Sequence, residues 1–131
     1  MSKFRLIDSL SLVNDTVTML VFVRQGVLEM LEFLSEFCNF YIYSHGFKEY
    51  IMNVLQILDP EYKYFPNRDL SVIAPADEND RANFLKNGKS IYDFKDPSTK
   101  EPLFKNSDCI FLDDQLLVVK QRGEFFHFHF Y

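Results

Sequence analysis

Residues 16–60 run strand-like, helix-like, strand-like, helix-like, and this alternation restricts the fold more than any other feature of the chain. Residues 16–23 (TVTMLVFV) are β-branched and apolar. Residues 27–37 place Val27, Leu28, Met30, Leu31, Phe33, Leu34 and Phe37 at helical spacing, with Glu29, Glu32, Ser35 and Glu36 on the other side. Residues 40–43 (FYIY) form a short apolar run that leads straight into Ser44-His45-Gly46. Residues 47–58 return to helical period, with Tyr50, Ile51, Val54, Leu55 and Leu58 on one face, and stop at Asp59-Pro60. Strands and helices of these lengths in alternation predict βαβ units and a parallel sheet. In such sheets chemistry sits just past the carboxyl ends of the strands, where Ser44-His45-Gly46 falls.

A chain of 131 residues predicts a single domain. Fifteen Phe and no Trp predict a core filled by phenylalanine. The formal charge of −5 argues against a general nucleic-acid binder, which needs a basic face. No apolar run reaches membrane-spanning length, and residues 1–12 lack the shape of a signal peptide. Cys38 and Cys109 stand in apolar surroundings and read as buried free thiols of an intracellular protein.

Elsewhere, residues 3–13 read as a strand and turn, and residues 59–67 as a loop with aromatic anchors. Residues 68–73 read as a strand. Residues 74–105 are charged and irregular, with Pro75, Gly88, Pro97 and Pro102, and predict a cap-like insertion holding a short helix near residues 79–85. Residues 109–112 (CIFL) predict a buried strand ended by Asp113-Asp114, and residues 116–119 a small one. Residues 124–131 alternate strictly, with Phe126, Phe128 and Phe130 on one face, and predict a half-buried C-terminal β-strand.

Two apolar strands therefore end in polar clusters. Adjacent carboxylates after a buried strand repel each other, and a hard divalent cation such as Mg²⁺ would relieve this; an N-cap or turn is the plainer alternative for Asp113-Asp114. A Ser44 hydroxyl beside helix N-terminal amides makes a phosphate cradle, although Ser before Gly is also ordinary turn chemistry. His45 is a candidate base or a locally bonded loop histidine. His127 and His129 read as a solvated strand face, since no further metal ligand is grouped with them. No G-x-S-x-G pattern supports a serine hydrolase.

Taken together, these segments resemble a known family. Residues 22–34 (FVRQGVLEMLEFL) look like its "RP…FL" segment, and residues 41–50 (YIYSHGFKEY) like its "hyTxGxrxYA". Residues 57–68 (ILDPEYKYFPNR) match its "ILDPxxxyFxxR", the most specific piece. Residues 103–114 (LFKNSDCIFLDD) match "LFPxxxSMvvIiDD", and residues 125–131 its closing "YxYF" strand. The chain is thereby identified as a member of the Fcp-type phosphatases of the RNA polymerase II C-terminal repeat domain, within the haloacid dehalogenase superfamily.

The resemblance implies an α/β, haloacid dehalogenase-like parallel sheet flanked by helices. It also implies a protein serine/threonine phosphatase chemistry through an aspartyl-phosphate, supported by Mg²⁺. By position, Ser44 matches the phosphoryl-binding hydroxyl, and Asp113 with Asp114 the metal-binding pair. Lys95 matches the lysine that neutralises the phosphoaspartate, with Lys100 and Lys89 as rivals. Arg68 matches a retained arginine, either structural or phosphate-facing, and with His45 is the candidate for substrate binding. The implied partners are the phosphorylated polymerase repeat or transcription factors, in the nucleus, without direct nucleic-acid or membrane contact. A receptor-like relative in mitochondrial protein import fits less well.

The family's D-x-D-x-T motif, which holds the nucleophile, occurs nowhere in these 131 residues. The chain is then expected to be an N-terminally incomplete domain, or residues 3–13 are a decayed motif with Asp8 the surviving acid and Leu10 at its partner position. The family proline after Arg24 is Gln25, and the arginine and tryptophan of "DDRxDVW" are Gln115 and Val118. In the family the motif strand lies between the strands ending at Tyr43 and Leu112, so either residues 4–7 or a partner chain is expected to fill that gap. A catalytically inactive phosphopeptide- or protein-binding relative is the alternative function.

Overall fold

A computed structural model describes residues 4–11, 18–105 and 109–113, with residues 4–11, 18–20 and 22 described by backbone alone. The elements in order are β1 (Phe4–Ser11), β2 (Thr18–Arg24), α1 (Val27–Leu34), β3 (Ile42–Tyr43), α2 (Lys48–Leu58), α3 (Arg68–Ser71), β4 (Val72–Ile73) and α4 (Glu78–Asn87), followed by a 3₁₀ turn at Ile91–Asp93. The chain divides into two compact units, Met1–Tyr41 with Glu49–Arg68, and Ile42–Lys48 with Asp69–Tyr131.

In the first unit β1 and β2 pair antiparallel, from Phe4 opposite Arg24 to Ser11 opposite Thr18. The register slips between Leu6 and Asp8, a β-bulge. Gly26 then turns the chain at φ 93, a left-handed conformation that a side chain would strain. It leads into α1, whose Leu31 is buried. The Ser35 hydroxyl donates to the Glu32 carbonyl at 2.7 Å and ends the helix by competing for its backbone.

The loop after α2 is built around a buried carboxylate. Asp59 accepts the backbone N–H groups of Lys63, Tyr64 and Phe65 at 2.8, 3.1 and 2.9 Å. Arg68 lies 3.4 Å from it, and both side chains are almost wholly enclosed. The guanidinium also donates to the Leu55 and Asp59 carbonyls at the end of α2 and to Gln56 Oε1, so it caps that helix. Tyr62, at φ 57, lays its ring 3.7 Å from the Arg68 guanidinium carbon. Phe65 is buried, and Phe40 rests against Tyr64 and Phe65.

In the second unit β3 and β4 pair parallel, Ile42 opposite Val72 and Tyr43 opposite Ile73. The Ser44 N–H extends the ladder to the Ile73 carbonyl, and the Lys48 N–H reaches the Pro75 carbonyl. Val72, Ala74, Pro75, Ile91 and Phe94 are buried. Asp77 caps α4 by accepting from the Asp80 N–H at 2.8 Å, while the Asp80 carboxylate accepts from the Ala76 N–H.

The structure corrects several expectations. Residues 16–23 were expected in a parallel sheet, yet β2 takes β1 as an antiparallel partner. Residues 4–7 do not fill the gap beside β3: among the described residues, β3 and β4 form their own two-stranded sheet. Residues 68–73 are not one strand but the turn of α3 followed by β4, because the Arg68 clasp holds the backbone in a helical turn first. Residues 109–112 form no strand, and Ile110 and Leu112 are exposed. Cys38 and Cys109 form no disulfide, but both were expected to be buried, and Cys38 is exposed and Cys109 only half-buried. The small strand at 116–119 and the C-terminal strand at 124–131, with His127 and His129, lie outside the described residues, as does Asp114.

Candidate active site

The parallel ladder between β3 and β4 fixes where the chain leaves the sheet, and Ser44-His45-Gly46-Phe47 is the loop that leaves it. The Ser44 Oγ accepts the Gly46 N–H at 3.0 Å, a tight turn that aims the hydroxyl from the strand end and leaves its proton to donate. Aromatic rings wall this loop. Tyr43 meets Phe84 and Phe94 edge-on, at 6.0 and 5.8 Å between centroids. His45 meets Phe84 edge-on at 6.2 Å, and Arg81 stands over Phe47. Tyr43 OH donates to Asp93, whose carboxylate also accepts the Ser90 N–H. That bond and burial raise the Tyr43 pKa far above its ordinary value of 10.0, burial being the larger cause. Residues 74–105 thus supply the wall behind the loop.

The same stretch supplies a cation. Lys89 Nζ and Asp113 Oδ2 pair at 2.7 Å, with side chains 9% and 8% exposed. Such enclosure is uncommon for these residues unless they are paired. Both charges act on His45. Burial first, and then the Lys89 charge, hold its pKa below the ordinary 6.5, Arg81 adding to the lowering and Asp113 opposing it. His45 is therefore neutral at pH 7, and its buried Nε2 has no hydrogen-bond partner among the described residues. The loop thus carries the Ser44 hydroxyl and, next to it in sequence, a neutral imidazole that feels the Lys89–Asp113 pair, in which one cation is balanced by one carboxylate.

Of the residues singled out in the sequence, Ser44 and His45 lie on this loop, and Asp113 pairs with Lys89, whose charge acts on His45. Lys95 is exposed, in an isolated bridge with Pro102, whereas Lys89 pairs with Asp113. Family spacing favoured Lys95, but a local signal marked Lys89. Gly88, at φ 73, ends α4, and Ser90 begins the 3₁₀ turn with a capping box, so Lys89 is pinned between a stop and a start. Arg68, read as substrate-binding, is turned inward; its bonds to Asp59, Leu55 and Gln56 make it a clasp of the first unit.

No group of three or more His, Cys, Asp or Glu able to hold a metal occurs among the described residues. Asp113 is the one described carboxylate of the expected magnesium pair, and its Oδ2 faces Lys89. The described residues alone thus do not fit a Mg²⁺ site, and none of the steps below uses the ion. No helix among them is long and apolar enough to cross a membrane.

A small parallel sheet with helices, of mixed α/β type, is consistent with a haloacid dehalogenase-like phosphatase domain. The model of the NLI interacting factor-like phosphatase family matches residues 2–122, and the chain belongs to that family, the Fcp-type phosphatases. Enzymes of this kind generally depend on Mg²⁺. No curated protein and no solved structure matches the chain.

Proposed function

We propose that this chain is the phosphate-recognising part of an Fcp-type serine/threonine phosphatase site, and that by itself it binds a phosphorylated peptide without hydrolysing it. The observation that carries the reading is the enclosed Lys89–Asp113 pair acting on the loop that bears Ser44. Ser44 donates its hydroxyl hydrogen to a phosphoryl oxygen. Lys89 supplies the charge, and Asp113 holds the ammonium in place. His45 stays neutral, so it adds no charge but offers a ring nitrogen to a second oxygen or to bound water. None of these groups attacks phosphorus. Among the described residues no base is bonded to the Ser44 hydroxyl, and the Lys89 ammonium is paired with Asp113. The 131 residues contain no D-x-D-x-T to supply the attacking carboxylate.

The family resemblance makes the phosphorylated RNA polymerase II repeat, in the nucleus, the first peptide to test. Fluorescence anisotropy with a phosphoserine repeat peptide and its unphosphorylated twin, read beside phosphate release in Mg²⁺, separates the readings. Phosphate-dependent binding without release is expected. Release that Asp113→Asn abolishes would make this chain an enzyme in its own right. Equal binding of both peptides would remove the phosphate site.

A further inference from the structure

Among the described residues, the first unit leaves an apolar face exposed. On α1 and the turn after it, Met30, Phe33 and Phe37 are 49%, 63% and 69% exposed, whereas Leu31 is buried. Positions 30, 33 and 37 follow helical period and form one stripe. Phe33 and Phe37 lie 5.3 Å apart between ring centroids, so the stripe is a contiguous patch rather than scattered side chains. Its border is acidic. Glu29 and Glu36 are exposed and project beside the stripe by the same period, and neither is in an ion pair among the described residues. Glu32, one turn further round, is already engaged by Lys63 Nζ at 2.6 Å and by Tyr64 OH. No Lys or Arg occurs in α1.

We propose that this stripe is the docking face for a basic amphipathic segment of a partner protein. The segment sets apolar side chains against Met30, Phe33 and Phe37 and places Lys or Arg opposite Glu29 and Glu36. Charge decides the occupant. A second copy of this chain would bring Glu29 and Glu36 to an identical acidic border, on a chain of net charge −5. A basic segment meets both requirements at once, with aromatic anchors at the centre and charges at the rim. The proposal does not depend on the phosphate site.

The test is selection from a displayed library of random peptides of about 16 residues, roughly four helical turns, on the intact chain. Fluorescence anisotropy of the enriched peptides then follows. Enriched sequences are expected to carry apolar residues at helical spacing with at least two Lys or Arg. The double variant Phe33→Ser/Phe37→Ser is expected to weaken binding about tenfold or more. Glu29→Lys/Glu36→Lys is expected to turn the preference toward acidic peptides. All four positions are exposed, so circular dichroism should show both variants folded. Absence of enrichment, enrichment unaffected by these substitutions, or a homodimer in sedimentation that Phe33→Ser dissolves would each overturn the proposal.

Discussion

Replacing Asp59 by asparagine keeps its size and removes its charge, and the cost can be worked from the geometry. The Oδ2 atom accepts from Tyr64 and Phe65, and Oδ1 from Lys63. An asparagine oxygen in the Oδ2 place keeps two weaker bonds and turns its amide donor toward the Lys63 N–H; the reverse orientation keeps only one. Either way Arg68 loses its counter-charge while 6% exposed. Breaking a buried pair by removing one partner costs about 3–5 kcal/mol, and a lost bond to a charged acceptor about 1.5–3. These overlap, because one charge carries both, so Asp59→Asn should cost roughly 3–4 kcal/mol rather than their sum. Urea unfolding at pH 7 measures it. The double variant Asp59→Asn/Arg68→Met should cost less than the two singles added, since Arg68 is then no longer stranded. Acid offers a second readout. Burial works to raise the Asp59 carboxyl, but the three N–H bonds and Arg68 outweigh it and leave it below the ordinary 3.8. Its contribution is thus complete above pH 3.8 and lost as pH falls through the lower folded value, a loss that Asp59→Asn should abolish. A cost under about 1 kcal/mol would refute the clasp, since even one lost charge-assisted bond exceeds it.

Gly26→Ala should cost about 1 kcal/mol in the same assay; no atom stands within 4 Å of the added Cβ, so the cost is backbone strain at φ +93 alone. His45 should make the fold less stable as pH falls below 6.5, because the unfolded chain protonates first; the decline should stop once the folded ring also protonates and should flatten in His45→Gln, measured by thermal melts across that range. Tyr43→Phe should cost about 1 kcal/mol, the net worth of a hydrogen bond to Asp93, checked by urea unfolding.

Local period made the helices legible. The apolar faces at 27–37 and 47–58 became α1 and α2, and the short helix near 79–85 became α4. What period cannot carry is the choice of partner. Residues 3–13 read as a strand and turn and residues 16–23 as a strand, but their antiparallel pairing with each other, as β1 and β2, is a matter of backbone hydrogen bonds that period does not show. At residues 68–71, β-propensity lost to tertiary contact, because Arg68 is committed to the carbonyls of α2. Ser44 was legible as a strand-end residue; Asp113 was singled out by the same reading, although residues 109–112 form no strand. The lysine was less so: Lys95 lay at about the family spacing, with Lys100 and Lys89 as rivals, and the pairing of Lys89 with Asp113 is a tertiary contact that spacing does not show. Ile110 and Leu112 read as buried because alternation was not visible in a run of four apolar residues.

Affinity for the phosphoserine repeat peptide, compared between the chain and its Lys89→Met variant, tests the central claim most directly. Methionine fills the lysine's place without its charge, and circular dichroism can confirm that the variant folds. The account expects phosphopeptide affinity to fall about tenfold or more while affinity for the unphosphorylated peptide stays level. An unchanged preference for the phosphorylated peptide would contradict it and move phosphate recognition away from Ser44, His45 and Lys89.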